Sequence, residues 1–346
     1  MLIKKTKIPF MQIATIGILP SFIKKFIYRL KGYKIGKNVS IGLGSIIVGK
    51  QVSIGDNVKI GLVSVVRARE IDIRRYVVIG SFSIIDSGSI MLDEDSRINE
   101  KVIVGGMKRP ESALILGKRG IIMEYAFINT TMPVTIGDDS GIGGHCLLFT
   151  HGSWLNQLEG FPVTFAPITI GKSVWLPWRV FIMPGVTIGD KVVVGANSLI
   201  NRSIPSNTMI AGSPAKILRE NYPVPISDTE KLSIFASYLS EFVDFLRYNN
   251  IDAQLKIDDQ RTIIIVKTKK VQTLVAQFLG KEKVYSGTSG VYVTNICNRQ
   301  QQLPEKPIKN LLILDVSSKQ RLGTSALGEE FVKFLSRYGL RFNRLD

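Results

Sequence analysis

The fold is decided by a stretch of the chain that reads IGKNVSIGLGSIIVGKQVSIGDNVKIGLVSVV, residues 35–66. Aliphatic residues recur in it at every sixth position, first at Ile35, Ile41 and Ile47. The next triplet begins 19 residues after the first, at Ile54. A six-residue repeat of this kind predicts a solenoid, in which short strands stack coil upon coil around a continuous aliphatic interior.

The same repeat extends well beyond this stretch. It predicts a column of eight three-sided coils, and at about 4.8 Å per coil the column is roughly 40 Å long. The triplets that follow the first are Ile54, Ile60, Val66; Ile73, Ile79, Ile85; Leu92, Ile98, Val104; Leu116, Ile122, Ile128; Ile136, Ile142, Leu148; Ile170, Leu176, Ile182; and Ile188, Val194, Ile200.

Glycine directly follows many of these ladder residues, as in Ile41-Gly42 and Ile142-Gly143. We interpret these glycines as corner residues that supply a permissive backbone. The phosphate-binding patterns GxGxxG and GxxxxGK[ST] do not occur between a strand and a helix, so the glycines are predicted to be structural.

The composition of the 346-residue chain predicts a folded protein of roughly two domains. Hydrophobic residues make up 45% and charged residues 21%, which argues against disorder along most of the length. Cys146 and Cys297 are the only cysteines, which excludes a disulfide framework and fits a reducing compartment. Since His145 and His151 are the only histidines, a three-histidine metal centre is impossible, and we expect no metal.

The net charge of +17 is concentrated at the N-terminus. Residues 1–55 contain ten Lys or Arg and no Asp or Glu, so the charge is not spread over a nucleic-acid-binding face, and we expect no nucleic acid as partner. A helix predicted after Pro20 has Phe22 and Phe26 on one side and Lys25 on its polar side.

Two interpretations of this basic amphipathic segment, residues 1–32, stay open. It lies on an anionic membrane surface, or it caps the core of the next domain. A cleaved signal peptide is disfavoured because no A-x-A site follows the apolar stretch.

Between residues 134 and 220 the repeat carries a series of short motifs. They are TIGD (135–138), THG (150–152), PITIG (167–171), VWL (174–176), PGVTIGD (184–190), VGANS (194–198), IPSNT (204–208) and AGSPAK (211–216).

In order and spacing these motifs resemble the hexapeptide-repeat acyltransferases, and within them the galactoside, maltose and surface-polysaccharide O-acetyltransferases. The resemblance implies a mainly β fold: a left-handed parallel β-helix of about eight coils. The left-handed sense comes from the resemblance alone, since strand crossovers are otherwise right-handed in about 98% of cases.

The resemblance further implies transfer of an acetyl group from acetyl-CoA, as co-substrate, to a hydroxyl of a sugar or glycan precursor, in a homotrimer with sites between adjacent columns. A hydroxyl needs a base to attack a thioester at neutral pH, and imidazole suits this role. The family's base falls on His151, while His145 is interpreted as a corner residue. Cys146 is interpreted as a buried filler, the alternative being a nucleophile.

The resemblance also places the ligands along the last coils. The coenzyme-contacting positions of the family fall on Trp178, Ala196, Asn201, Arg202 and Lys216, of which the basic pair suits phosphate oxygens.

On the acceptor side, Asn129 falls where relatives contact the acceptor. Trp154 offers an aromatic face either to a sugar ring or to packing of its loop at a trimer interface. The group that orients the imidazole of His151 is left open between a backbone carbonyl and Glu159.

Three regions follow from these observations: the amphipathic segment 1–32, a β-helix acyltransferase domain 33–222 and an α+β domain 223–346 of unknown role. In the last, Ser227 and Glu230 predict a capping box before a helix. We also predict strands near 262–267, 284–297 and 311–316 and helices near 271–279 and 326–338.

The function predicted first is an acetyl-CoA-dependent O-acetyltransferase that uses a histidine base. N-acetylation of an amino sugar is the alternative within the enzyme class. A non-catalytic scaffold in a polysaccharide-synthesis complex is the alternative outside it. The expected location is cytoplasmic, with attachment to the inner face of the membrane as a further expectation.

Overall fold

The computed structural model describes residues 9–257, 261–267, 271–277, 289–297 and 303–345. The chain divides into two compact units, Met1–Val224 and Pro225–Asp346.

The first unit is a three-sided column of parallel strands. Face one contains Lys34–Ile35, Gln51–Ile54, Glu70–Ile73, Ser89–Leu92, Ala113–Leu116, Val134–Ile136, Ile168–Ile170 and Thr187–Ile188. Face two contains Ser40–Ile41, Lys59–Ile60, Val78–Ile79, Arg97–Ile98, Ile121–Ile122, Gly141–Ile142, Trp175–Leu176, Val193–Val194, Met209–Gly212 and Ala215–Arg219. Face three contains Ile46–Val48, Val65–Arg67, Ile84–Asp86, Ile103–Gly105, Phe127–Asn129, Leu147–Leu148, Phe181–Ile182 and Leu199–Ile200.

The interior of the column consists of the aliphatic ladders that the repeat predicted. All 24 ladder residues lie in these strands, and from Ile41 to Ile200 each is buried. They form one continuous hydrophobic cluster, against which Ile35 packs in the first coil. Because the strands that carry the ladders are only two to four residues long, stability comes from this stacking rather than from any single strand.

The glycines after the ladder residues do not play the part we predicted for them. None of them has a positive φ; the left-handed residue of each corner comes two positions later, as at Asn38 with φ 54° and His145 with φ 57°. A Cβ at Gly42 would lie 2.3 Å from the carbonyl oxygen of Gly61 in the next coil. The glycines are therefore needed for the close approach of successive coils.

The two ends of the column are closed by different elements. At the first coil lie helix α1 (Phe10–Gln12), a π-helical turn (Ile13–Gly17) and helix α2 (Ser21–Leu30). At the last coil the strand Met209–Gly212 pairs antiparallel with Ala215–Arg219. In the described part of the chain no single helix is long and apolar enough to cross a membrane, although the bent pair Phe10–Gly17 and Ser21–Leu30 together meet that test of length and composition.

The second unit is an α+β domain. Helix α3 (Asp228–Tyr248) begins with the predicted capping box, and helix α4 (Ala326–Leu335) packs Phe331 against Phe242 of α3. The sheet consists, in spatial order, of Asp252–Ile257, Arg261–Lys267, Val271–Gln277, Gly290–Thr294, Leu311–Asp315, Gln320–Gly323 and Asn343–Arg344.

The helix predicted near 271–279 is wrong, because Val271–Gln277 is a strand. It pairs with Arg261–Lys267 on one side and with Gly290–Thr294 on the other, and Leu274 is buried. Pairing on both edges of a short segment outweighs its helix propensity. Residues 284–288 of the predicted strand 284–297 lie outside the described residues.

Candidate active site

His151 lies where the chain leaves the column. After the strand Leu147–Leu148, residues His151–Gly152 pair antiparallel with Thr164–Phe165, so that residues 153–163 form an excursion from the coil. The pairing gives His151 an extended backbone opposite Phe165. Its imidazole is half-buried and stacks on the Phe165 ring, with centroids 5.8 Å apart and planes 11° apart.

The imidazole of His151 is oriented by Asn129, on the preceding coil. The Nδ1 atom of His151 lies 3.2 Å from the side-chain Oδ1 of Asn129. That Asn129 atom also accepts a hydrogen bond from the backbone N–H of Thr131, at 3.1 Å, which identifies it as the oxygen. Nδ1 is therefore the donor, and in the neutral imidazole the lone pair is on Nε2.

Asn129 is itself held firmly. It is 4% exposed, and the hydroxyl of Thr150 lies 2.9 Å from its backbone oxygen and 3.0 Å from its Oδ1. The orienting partner of His151 is the Asn129 side chain, and neither of the partners expected from the sequence, a backbone carbonyl or Glu159. Glu159 instead accepts a hydrogen bond from Asn156 within the excursion. A direct contact between Asn129 and an acceptor stays a prediction.

A second excursion, residues 105–113, meets the first beside His151. The guanidinium of Arg109 lies 5.2 Å from the centroid of the Phe165 ring. The hydroxyl of Ser112 donates to the Thr131 carbonyl at 2.9 Å, and the N–H of Met107 donates to the Thr131 hydroxyl at 3.1 Å. The two excursions thus hold the segment that contains Asn129 and the Phe165 ring on which His151 stacks. The sequence marks residues 105–113 as a break in the repeat, but no motif assigns Arg109 a role of its own.

His145 occupies a corner of the column, as predicted. Its backbone is left-handed, and its N–H donates to the carbonyl of Glu124 on the preceding coil at 3.1 Å. The exposed imidazole stacks on Tyr125, 4.9 Å between centroids, and lies 5.5 Å from Trp178.

Cys146 points into the column. It is buried, and its Sγ donates to the carbonyl of Pro177 at 2.9 Å. Burial raises the pKa of this thiol to about 11. The thiol is therefore protonated at neutral pH, which favours the filler interpretation over that of a nucleophile.

The residues predicted to bind the coenzyme lie along the last coils. Trp178 and Ala196 occupy the same corner position of successive coils, and Trp178 is 50% exposed. Its ring rests on Gly144, where a Cβ would come within 2.8 Å of the indole. Asn201, Arg202 and Lys216 are exposed, the last on the closing hairpin.

Trp154, predicted to face a sugar ring, lies in the excursion and is 96% exposed. Its side chain is thus not used to pack the loop within this chain, which leaves the indole accessible to a ligand or to a neighbouring subunit.

Comparisons with known proteins agree with this architecture. A family profile described as "hexapeptide repeat of succinyl-transferase" matches residues 33–68 and 167–202. The "Putative colanic acid biosynthesis acetyltransferase WcaF" of Escherichia coli (strain K12) is 34% identical over 131 residues, which are 36% of this chain and 69% of that protein. The galactoside O-acetyltransferase of the same strain is 39% identical over 124 residues, 34% of this chain and 58% of that protein.

Two solved structures resemble the chain at lower identity. A galactoside acetyltransferase in complex with coenzyme A is 22% identical with a TM-score of 0.28, over 61% of this chain and 78% of that one. The polySia specific acetyltransferase NeuO is 21% identical with a TM-score of 0.35, over 57% of this chain and 85% of that one.

A column of hexapeptide coils, with a histidine at the point where an excursion leaves the column, is the architecture of a β-helix transferase. The chain belongs to the hexapeptide-repeat acyltransferase family. It is therefore an enzyme, an acyltransferase, and its column is the left-handed parallel β-helix that the resemblance implied.

Proposed function

We propose that the protein transfers an acetyl group from acetyl-CoA to a hydroxyl of a sugar or glycan precursor, with His151 as the general base. The observation that carries this proposal is the hydrogen bond from Nδ1 of His151 to Oδ1 of Asn129, because it places the lone pair of the neutral imidazole on Nε2. The names of the relatives, which act in colanic acid biosynthesis or on galactosides, support a glycan acceptor.

In the proposed reaction, Nε2 of His151 takes the proton of the acceptor hydroxyl as its oxygen attacks the thioester carbonyl. The tetrahedral adduct collapses, the carbon–sulfur bond breaks, and the coenzyme leaves as a thiolate. The imidazolium then returns the proton to that sulfur, so the protein is regenerated unchanged. The hydrogen bond to Asn129 keeps the ring in place throughout.

The coenzyme is proposed to lie along the corner that contains Trp178 and Ala196, with Asn201, Arg202 and Lys216 near its phosphates. The exposure of these groups supports this placement. Their charge supports it as well, since guanidinium and ammonium groups bind phosphate oxygens through charge-assisted hydrogen bonds.

The proposed assembly is a homotrimer. Face three carries an outward-facing apolar ladder that passes beside the His151 turn, where Phe149 lies 5.4 Å from both Phe127 and Phe181 and 6.5 Å from His151. A neighbouring column on this ladder would lie next to the proposed base. The ladder consists of Ile84, Ile103, Phe127, Leu147, Phe181 and Leu199.

Sedimentation of the double variant Ile103→Glu/Leu147→Glu tests this assembly. We expect it to dissociate, while Ile217→Glu, a change at an equally exposed aliphatic residue of the closing hairpin, leaves the trimer intact. A wild-type protein that sediments as a monomer with full activity would contradict the shared-site arrangement.

The proposed location is the cytoplasm. Acetyl-CoA is made there, and free thiols such as those of Cys146 and Cys297 persist in that reducing compartment.

The experiment that tests the function is transfer of labelled acetyl from acetyl-CoA to a panel of galactosides, nucleotide sugars, amino sugars and lipid-linked glycans. We expect an O-acetyl ester that mild alkali removes. An alkali-stable amide on an amino sugar would replace the proposal by N-acetylation, and transfer to none of these classes would favour a scaffold.

A further inference from the structure

Helix α2 lies on the column with Ser21, Lys24 and Tyr28 facing the first coil. The Nζ of Lys24, which is buried, donates to the carbonyls of Gly42 at 2.6 Å and Ser45 at 3.0 Å. The hydroxyl of Ser21 accepts a hydrogen bond from the N–H of Ile41 at 3.0 Å. These groups of the first coil have no preceding coil to pair with, so the helix satisfies a free edge of the column.

Tyr28 completes this contact. It is buried, stacks on Tyr33 at 5.4 Å, and its hydroxyl accepts a hydrogen bond from the N–H of Ile47 at 2.9 Å. Helix α2 is therefore a cap, and its side chains Ser21, Lys24 and Tyr28 are hydrogen-bonded to the first coil.

As a consequence, the large apolar side chains of helix α2 point away from the column. Phe22, Phe26 and Leu30 follow one another at intervals of one helical turn. These three side chains, each between 63% and 72% exposed, form the apolar cap face; Phe10, Met11 and Ile18, which precede α2, are exposed as well. An exposed apolar group of this size marks an interaction surface.

The charges around the apolar cap face decide what covers it. Residues 1–55 contain ten basic and no acidic side chains; Arg29 and Lys31 are exposed, and Lys25 is half-buried. A second copy of the same face would bring these like charges together without an acidic partner. An anionic lipid surface instead offers hydrocarbon to the apolar side chains and lipid phosphates to the cations.

We propose that the cap is an interfacial membrane anchor, which inserts Phe22, Phe26 and Leu30 into an anionic bilayer and places Lys25, Arg29 and Lys31 among its headgroups. This goes beyond the proposed function, because it concerns where the enzyme works and not the reaction. The same helix thus closes the column with one side and binds the membrane with the other.

Co-sedimentation of the full chain with vesicles tests the anchor. We expect binding to phosphatidylcholine vesicles that contain phosphatidylglycerol and not to phosphatidylcholine alone. Phe22→Ser/Phe26→Ser should lower the partition coefficient by about ten-fold per phenylalanine. Tyr248→Ser, at an aromatic residue of α3 that is 87% exposed, is the matched control and should bind like wild type.

The charges are tested separately. Lys25→Gln/Lys31→Gln should weaken binding by about five-fold per residue at low salt. The matched pair Lys306→Gln/Lys309→Gln, exposed in the second unit, should leave it unchanged.

The Tm and the transfer rate to a soluble acceptor should stay at wild-type values in Phe22→Ser/Phe26→Ser, which separates this proposal from the proposed function. The anchor proposal would be contradicted if the wild-type protein did not bind anionic vesicles at low salt, or if the double-serine variant bound them as well as wild type does. Loss of an oligomer in that variant without any lipid binding would assign the face to a second copy instead.

Discussion

The corner at His145 and the turn at His151 are equivalent positions on two neighbouring faces of one coil, each three residues after a buried ladder residue. At the corner the backbone is left-handed, and the ring lies between Tyr125 and Trp178. At the turn the chain is extended, and the ring is hydrogen-bonded to Asn129.

This difference shows how one coil of a regular repeat can orient a candidate catalytic side chain. A regular corner repeats in every coil, and at His145 the side chain is held by stacking on Tyr125 and Trp178. Where the excursion of residues 105–113 interrupts the repeat, Ser112 holds the segment that contains Thr131 and Asn129, and Asn129 orients the imidazole of His151. The break in the repeat, rather than the histidine alone, defines the site.

Replacing His151 should have the largest effect on the reaction. His151→Ala is expected to lower kcat by about 10² to 10⁴-fold, because no other group takes the acceptor proton. The KM for acetyl-CoA should change little, since the coenzyme residues are untouched. Steady-state kinetics with both substrates measures this, and a kcat equal to that of wild type would remove His151 from the mechanism.

Asn129 is a positioning residue with the next largest effect. Asn129→Ala should lower kcat by about 10 to 100-fold, because the imidazole loses the acceptor that fixes its tautomer. Asn129→Asp retains an oxygen for Nδ1–H and should recover most of the rate.

Equal losses of kcat in the alanine and aspartate variants, with Tm lowered in both, would mean that Asn129 serves the fold only. In that case its hydrogen bond to the Thr131 N–H, rather than the one to His151, accounts for the effect.

His145 should affect stability and not catalysis. His145→Asn suits the left-handed backbone, as Asn38 does at its own corner, and should keep kcat within about two-fold. The lost stacking on Tyr125 should cost about 0.5–1.5 kcal/mol of unfolding free energy. Denaturant unfolding and kinetics on the same sample measure both, and a kcat loss as large as that of His151→Ala would abolish the contrast between the two positions.

Cys146 should have the smallest effect on the reaction. Its pKa of about 11 keeps the thiol protonated at pH 8, so iodoacetamide should react with it far more slowly than with an unfolded control. Cys146→Ala should transfer acetyl at the wild-type rate. Rapid alkylation that abolishes activity would revive the nucleophile interpretation.

The sequence predicted the column because each ladder position is specified again in every coil, so that single irregular residues do not obscure the period. It did not predict why glycine follows the ladder residues. The close approach of Gly42 to Gly61 depends on the distance between coils, and the six-residue period gives no information on that distance. The second unit lacks such repetition, and there the sequence predicts a helix for a segment, Val271–Gln277, that is a strand.

The candidate site was predicted in part. Asn129 and His151 were both singled out, but the hydrogen bond between them was not, although the ladder stacks Ile128 beside Leu148. The direction of the Asn129 side chain depends on Thr131, which the excursion 105–113 holds in place. Contacts made by irregular loops do not follow from the period of the repeat.

The tautomer of neutral His151 can be observed by NMR. Since His145 is the only other histidine, the His145→Asn variant leaves a single imidazole to observe by long-range nitrogen–proton correlation. We predict that neutral His151 carries its proton on Nδ1 and leaves Nε2 unprotonated, and that Asn129→Ala loses this preference. A neutral imidazole with its proton on Nε2 in the intact site would contradict the assignment of His151 as the base, because Nε2 would then have no lone pair to receive the acceptor proton.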